Sequence, residues 1–288
     1  MNQVGTIAVE LPESRKSAFL KLLADDDPAV YSNIRQQILS MGPGAAAWLR
    51  PHLVSNDPVL RRRSQELVLR FDRAAADDRF LAFCLRTGEG FDLEQGAWLL
   101  AQTEYPEINP EAYSAMLDLY ASELGQQLKP APDAREALSR VNTYLFDELG
   151  FAGNEESYYD PDNSYLNRVL DRRVGNPISL CALYLLLARR LQMPVTGIGM
   201  PGHFICRYQS SAAAIYIDVF NGGKLLTKAD CVQYLLRANY SVRDDYLAPV
   251  SPRRMLLRIC GNLHQIYARL QKSEGATRLQ RYLVALAK

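Results

Sequence analysis

The segment from Tyr165 to Thr227 constrains the fold more than any other part of the chain. Within it, Asn176 and Pro177 precede a long apolar run. Asn is a favoured N-cap residue and Pro is favoured at the first helical position, so the pattern predicts a helix that begins at Pro177. The run is too short to span a membrane, and we expect it to be a buried core helix.

Three short strands are predicted after this helix. Each is rich in β-branched or aromatic residues and is bounded by turn residues. Because helices come first and strands follow without strict βαβ alternation, the sequence predicts an α+β fold. We expect a small, mainly antiparallel sheet packed on the central helix. The predicted strands are Val195–Met200, Phe204–Tyr208 and Ala214–Val219.

The first predicted region, residues 1–75, is helical. Asp-Pro pairs occur at Asp27-Pro28 and again at Asp57-Pro58. In each pair Asp is suited to cap a helix whose first residue is Pro. Two such helix starts at a regular interval resemble HEAT-like repeats, and an ordinary helical bundle is the alternative.

Two further regions follow. Residues 76–246 begin with amphipathic helices, continue through an acidic, turn-rich loop at 153–164 and end with the helix and strands described above. Residues 247–288 contain two helical patterns that resemble one tetratricopeptide-type hairpin. A single hairpin cannot bury its own apolar face, so we expect it to pack on the core or on a partner.

Composition excludes some functions. The chain has 33 basic and 32 acidic side chains and a net charge of +1, which gives no reason to expect binding to nucleic acid or to a membrane surface. The N-terminus lacks a basic segment followed by an apolar one, so an unprocessed cytoplasmic protein is expected. No metal-ligand spacing or phosphate-binding glycine motif is found, and no metal or cofactor is predicted. The cysteines are predicted to be reduced core thiols: Cys84, Cys181, Cys206, Cys231 and Cys260.

Several motifs in residues 80–288 resemble the SirB1 family. They are GNPISLCALYLLLARRLQMPV, MPGHF and IYIDVFNGGKLL, preceded by a similar helical segment at 93–124. That family has a transglutaminase-like, or papain-like, core without the usual Cys, and the same core occurs in bacterial proteins and in an F-box protein. The resemblance therefore implies a transglutaminase-like core in this chain.

The resemblance also implies where the chemistry of related enzymes would lie. In the superfamily a nucleophilic Cys starts the helix, and a His and an Asp follow on the strands. Those positions correspond here to Pro177, His203 and Asp218. A helix N-terminus stabilises a thiolate, whereas Pro supplies neither a nucleophile nor an N–H. His203 and Asp218 are thus present, but the nucleophilic Cys is not.

Cys181 is the alternative nucleophile, because it lies one helical turn after Pro177. Its apolar neighbours favour an inert core thiol instead. His203 and Asp218 would orient a ligand or act as a base toward water. The predicted ligand pocket at the helix start comprises His203, Asp218, Asn167, Arg172, Asn176 and Pro177, and a carboxylate or phosphate group is compatible with it.

The sequence favours a non-catalytic protein that acts in protein interaction or regulation through the His203–Asp218 pocket, with a protein or peptide partner. The alternative is an amide hydrolase or transferase that uses His203 and Asp218 with Cys181 or water. A third interpretation is an inert core whose helical arms bind partners.

Overall fold

The computed structural model describes residues 11–86, 91–129 and 133–288. The chain divides into two compact units, the first comprising Met1–Arg79 with Thr103–Pro106 and the second Phe80–Gln102 with Glu107–Lys288. Residues 1–10, on which the prediction of an unprocessed N-terminus depends, lie outside the described residues.

The described residues form twelve α-helices and six β-strands. The helices are α1 (Glu13–Leu23), α2 (Pro28–Ser40), α3 (Gly44–Leu49), α4 (Pro58–Cys84), α5 (Leu93–Gln102), α6 (Pro110–Gln127), α7 (Ala134–Asn142), α8 (Leu166–Arg172), α9 (Pro177–Arg190), α10 (Lys228–Arg237), α11 (Pro252–Arg269) and α12 (Ser273–Leu286). The strands are β1 (Ala152–Gly153), β2 (Val174–Gly175), β3 (Val195–Ile198), β4 (Ile205–Gln209), β5 (Ala214–Asp218) and β6 (Lys224–Leu226).

The first unit is helical, and its helix starts follow from the Asp-Pro pairs. The side chains of Asp27 and Asp57 accept hydrogen bonds of 2.7 and 2.8 Å from backbone N–H groups two residues later. Ile34 and Ile38 on α2 lie in the buried core of this unit. The predicted caps are therefore confirmed, while the HEAT-like classification stays a prediction.

Helix α4 crosses the predicted boundary between residues 75 and 76, because no Gly or Pro after Pro58 interrupts it before Cys84. The first compact unit runs to Arg79 and also includes Thr103–Pro106, while the predicted domain boundaries stay a prediction.

The second unit confirms the predicted α+β class. Its sheet has the order β3-β4-β5-β6, and all three strand pairs are antiparallel. Helix α9 packs against β3 and β4 with most of its side chains buried. In the β4–β5 pair Cys206 lies opposite Ile217, so the residues just before β4 lie near the end of β5. This register brings the turn that contains His203 close to Asp218.

A tight turn joins β5 to β6, which the sequence did not predict as a strand. Gly222 and Gly223 both have positive φ, at 65° and 72°. The Gly223 carbonyl accepts a hydrogen bond of 2.6 Å from the side chain of Asn142, the last residue of α7. Asn142 in turn accepts one of 3.1 Å from the Tyr184 hydroxyl on α9. The turn is thereby attached to the central helix.

The C-terminal end of α9 is held by a carboxylate on α5. Arg190 and Arg189 both contact the buried Glu94, at 2.8 and 2.5 Å. The Ser114 hydroxyl on α6 also donates to Glu94, at 2.9 Å.

Helices α11 and α12 form the predicted C-terminal hairpin. Helix α11 packs on α12 and also on α5 and α9, so its apolar face is covered by the core. This satisfies the expectation that the hairpin does not stand alone, while its tetratricopeptide-like classification stays a prediction.

Candidate functional site

Helix α9 begins as the sequence predicts. The Asn176 side chain accepts a hydrogen bond of 3.0 Å from the backbone N–H of Ser179, and the Ser179 hydroxyl accepts one of 3.1 Å from the backbone N–H of Asn176. Pro177 occupies the first helical position. This reciprocal cap satisfies two donors that would otherwise be unpaired, so the start of the helix is fixed in position.

A buried polar network that the sequence did not predict attaches the preceding loop to this cap. The Asn163 carbonyl accepts hydrogen bonds from the Ser179 hydroxyl at 2.6 Å and from the Asn176 N–H at 3.1 Å. The Asn176 side chain donates to Ser164 Oγ at 2.8 Å. The end of the acidic loop is thus part of the site's framework.

His203 and Asp218 form a hydrogen bond, with 2.9 Å between Nε2 and Oδ1. Asp218 Oδ2 also accepts a hydrogen bond of 2.8 Å from the Asn221 side chain. Burial raises the pKa of Asp218, but the hydrogen bond and charge of His203 together with the Asn221 bonds outweigh it, so the net pKa is lowered. The pair is therefore held with Asp218 as an ionised acceptor, which fixes the direction of the imidazole ring.

Aromatic rings surround the imidazole of His203. Its centroid lies 6.3 Å from the Phe220 ring, edge to face, and 5.7 Å from the Tyr234 ring. The turn before His203 requires glycine, because Gly202 has a φ of 72° and a Cβ there would lie 3.3 Å from the Tyr240 hydroxyl.

A cavity of about 370 Å³ opens between His203 and the start of α9. Three of the predicted pocket residues, His203, Asn176 and Pro177, line it. Its other walls are formed by the acidic loop and by α11. The sequence analysis did not predict that either of these segments contributes to the site. They include Tyr158, Tyr159, Arg258, Asn262, Gln265 and Arg269.

The other predicted pocket residues do not line this cavity. Asp218 lies behind His203 as its hydrogen-bond partner. Asn167 is buried, and its Oδ1 has no hydrogen-bond partner among the described residues. Arg172 forms an ion pair of 2.8 Å with Asp160 in the acidic loop. Arg172 therefore connects α8 to the acidic loop, and neither Arg172 nor Asn167 forms part of the cavity wall.

Cys181 is fully buried and does not line the cavity. Its thiol donates to the Phe204 carbonyl at 3.5 Å, and burial, with Cys206 beside it, raises its pKa well above the ordinary value. All five cysteines, each within the described ranges, are buried free thiols, as predicted.

Sequence reasoning missed the two arginines on α11. Arg258 Nη2 donates to the carbonyls of Met200 and His203, at 2.8 and 2.9 Å, and so clamps the turn that carries the imidazole. Arg269 lies with its guanidinium carbon 4.2 Å from the centroid of the Tyr159 ring. Neither position has a signal that separates it from the other arginines of α11.

Within the described ranges, no group of three or more His, Cys, Asp or Glu side chains is arranged to hold a metal ion. None of the helices that the structure describes is long and apolar enough to cross a membrane. A second hollow, of about 550 Å³, lies beside β3, and none of the predicted site residues lines it.

Comparison with known proteins agrees with the transglutaminase-like fold. Residues 111–261, just over half of the chain, match the transglutaminase-like superfamily. The chain therefore belongs to this superfamily.

Its relatives include bacterial and animal proteins. A UPF0162 protein of Xylella fastidiosa strain 9a5c is 37% identical over 197 residues, which cover 66% of this chain and 70% of that protein. The UPF0162 protein PA3419 of Pseudomonas aeruginosa is 30% identical over 178 residues, 61% of this chain and 64% of the relative. F-box only protein 21 of Mus musculus is 37% identical over 140 residues, 44% of this chain but 21% of the relative. No solved structure matches the chain.

Proposed function

We propose that this protein is a non-catalytic, SirB1-type member of the superfamily that binds a peptide or protein partner through the cavity at the start of α9. The observation that carries the proposal is the position of Pro177. It is the first residue of α9 and lines the same cavity as His203. The family resemblance implies that the nucleophilic Cys of related enzymes stands at this position. Pro has no side-chain atom that can attack an amide.

The rest of the site supports binding rather than turnover. Among the described residues that line the cavity there is no Ser, Thr or Cys. The His203–Asp218 pair keeps its geometry, so the imidazole is held in a defined position at the cavity wall. A volume of about 370 Å³ falls within the range of ordinary ligand pockets.

We do not propose Cys181 as a displaced nucleophile. A thiolate is the reactive form of Cys, and burial disfavours it. The thiol is also directed to the Phe204 carbonyl instead of the cavity.

Enzyme assays test the absence of catalysis. The recombinant full chain would be incubated with glutamine-containing peptides, and ammonia release, peptide-bond hydrolysis and amine incorporation would be followed. We expect no turnover that depends on His203. Turnover lost in His203→Ala would contradict the proposal, and turnover lost also in Cys181→Ala would favour the displaced nucleophile.

A binding experiment tests the proposed role of the cavity. A mixed peptide library would be screened against the wild-type chain and against Asn262→Phe, which places a ring in the cavity. The control is Ala268→Phe, which puts the same ring at an exposed position of α11. Peptides that bind wild type and Ala268→Phe but not Asn262→Phe would support the proposal. Equal binding to all three chains, or no binding to any, would overturn it.

A further inference from the structure

Two arginines on one face of α11 give the cavity a positive wall. Arg258 and Arg269 are about three helical turns apart, so their side chains project from the same side of the helix. Asn262 and Gln265 lie between them and also line the cavity. The wall thus carries two guanidinium groups with amide groups between them.

The positive charge of this wall is not balanced within the cavity. No Asp or Glu is found among its described lining residues. Neither Arg258 nor Arg269 forms an ion pair with a carboxylate in the part of the chain that the structure describes. In contrast, Arg172 and Arg190 each have a carboxylate within 3.0 Å.

The unpaired positive charge of Arg258 is unfavourable because the side chain is partly buried. Its guanidinium is half-buried, and its hydrogen-bond acceptors among the described residues are the neutral carbonyls of Met200 and His203. Burial lowers its pKa, because a charged group loses hydration there. A partly desolvated charge is stabilised by a nearby opposite charge, and a bound anion would supply one here.

Aromatic rings hold both guanidinium groups in place. Arg269 stacks over Tyr159 at 4.2 Å, and Arg258 lies over Phe204 at 5.5 Å. Tyr158 packs edge to face on Tyr159, at 5.3 Å between centroids. Such cation–π contacts restrict the side chains without neutralising them, so the guanidinium groups are already positioned for an anion.

We infer that the cavity binds the free C-terminal carboxylate of a peptide, with Arg258 and Arg269 as the groups that recognise the charge. The inference rests on the proposed peptide-binding function and adds the chemical class of the ligand. Arg guanidinium groups pair with carboxylates in a planar, two-hydrogen-bond geometry. The neighbouring Asn262 and Gln265 amides suit a peptide backbone, and the Tyr158 and Tyr159 rings suit the apolar part of a terminal side chain.

The test compares a mixture of N-acetylated tripeptides with free C-terminal carboxylates and the same mixture as C-terminal amides. Binding to the full chain would be followed by the NMR signals of ¹³C-labelled His203. Loss of one charge-assisted hydrogen bond corresponds to about a tenfold loss in affinity. The reference is the affinity of the peptide acids for the wild-type chain. We expect the amides to bind the wild-type chain, and the acids to bind Arg269→Met, at least about tenfold more weakly than this reference.

Arg254→Met is the matched control, because Arg254 is exposed on α11 and does not line the cavity. We expect it to bind like the wild type. Arg258→Met is expected to weaken acid binding in the same way as Arg269→Met. If Arg258→Met does not fold, Arg258→Lys provides the second test: it keeps the charge but loses the planar pair of donors, and we expect it too to weaken acid binding.

Equal binding of amides and acids, both lost in Asn262→Phe, would overturn this inference and leave the proposed function intact. Failure of both mixtures to bind would overturn both. Inorganic phosphate that binds in an Arg269-dependent manner, without any binding of peptide acids, would overturn the carboxylate assignment.

Discussion

His203 Nε2 lies 2.9 Å from Asp218 Oδ1, although His203 belongs to the turn before β4 and Asp218 ends β5. The Asn221 side chain donates to the other carboxylate oxygen at 2.8 Å. The buried carboxylate therefore joins two separate segments next to the cavity.

Replacing this carboxylate tests its structural role. Asp218→Ala leaves His203 and Asn221 without their acceptor, and we expect the free energy of unfolding to fall by about 2–3 kcal/mol. Asp218→Asn keeps the shape and one acceptor oxygen, so a smaller loss of about 1–2 kcal/mol is expected. Urea unfolding measures both, and equal stability of Asp218→Ala and wild type would show that the pair contributes nothing.

Introducing a thiol at the helix start tests whether Pro177 occupies a nucleophile position. In the wild type we expect iodoacetamide to modify the five buried cysteines only after denaturation. Pro177→Cys adds a thiol at the N-terminus of α9, where its pKa is expected below the ordinary value of about 8.5. Mass spectrometry across a pH series would show modification beginning at lower pH than for a thiol at the exposed Val54.

The contribution of His203 to that reactivity is measured separately. We expect His203→Ala to slow alkylation in the Pro177→Cys background and to leave it unchanged in the Val54→Cys background. The same rate with and without the imidazole would show that His203 does not reach the thiol.

The turn after β5 offers a matched pair of glycines. Gly222 and Gly223 both have positive φ, but only at Gly223 would a Cβ overlap other atoms, those of Asn142 and Phe146. We expect Gly222→Ala to cost about 1 kcal/mol from backbone strain and Gly223→Ala about 3 kcal/mol from strain and overlap together. Thermal or urea unfolding would rank the stability of the two variants. Equal losses of stability would contradict the close approach of α7 to Gly223.

The N-cap of α9 is expected to contribute more to the free energy of unfolding than an ordinary helix cap does. Asn176→Ala removes the cap and a buried hydrogen bond to Ser164, with an expected loss of about 2 kcal/mol. Asn109 caps α6, and its side chain donates to no buried partner among residues 11–86, 91–129 and 133–288, so Asn109→Ala is expected to lower the free energy of unfolding by about 1 kcal/mol. A larger loss for Asn109→Ala would contradict the polar network around Asn163.

The pH dependence of stability follows from Glu94. Burial raises its pKa, but hydrogen bonds from Arg190 and Ser114 and the charges of both arginines lower it below the ordinary value of about 4.3. A carboxyl whose folded pKa is lowered stabilises the fold above its unfolded pKa and loses that effect as pH falls through the folded pKa. We therefore expect Glu94→Gln to be less stable than wild type at pH 7 and the difference to shrink below about pH 4.

Urea midpoints at pH 7, 5, 4 and 3 would check this expectation. The control is Glu136→Gln, because Glu136 pairs with Arg140 on the exposed surface of α7 and such pairs contribute little. A difference for Glu94→Gln that stays constant over the whole range would rule out an ionised Glu94 as its cause.

Much of the fold was predictable because its signals are local. The caps at Asp27 and Asn176, and the prolines that follow them, set helix starts within a few residues of sequence. The strands around 195–218 have β-branched residues between turn residues. In contrast, β6 has three residues and pairs only because the glycine turn returns it to β5, so its pairing does not show in its own composition.

The candidate site was predictable only where its residues lie close together in one segment of the chain, at the helix start and in the turn before the next strand. The family resemblance predicts Pro177, Asn176 and His203 in one pocket, and these three residues line one cavity. Arg258 and Arg269 come from a helix about fifty or more residues later, and their part in the cavity depends on how α11 packs against α9. Such packing is a tertiary effect that no local pattern encodes.

The position of α11 has a consequence for how the site is made. The framework of α9 and the sheet emerges from the ribosome first, but the cavity wall that carries Arg258 and Arg269 is synthesised afterwards. A nascent chain that stops before Ser251 would present His203 and Pro177 on an open surface without cationic groups opposite them. The pocket therefore takes its final form only after α11 has been synthesised and has packed against the framework.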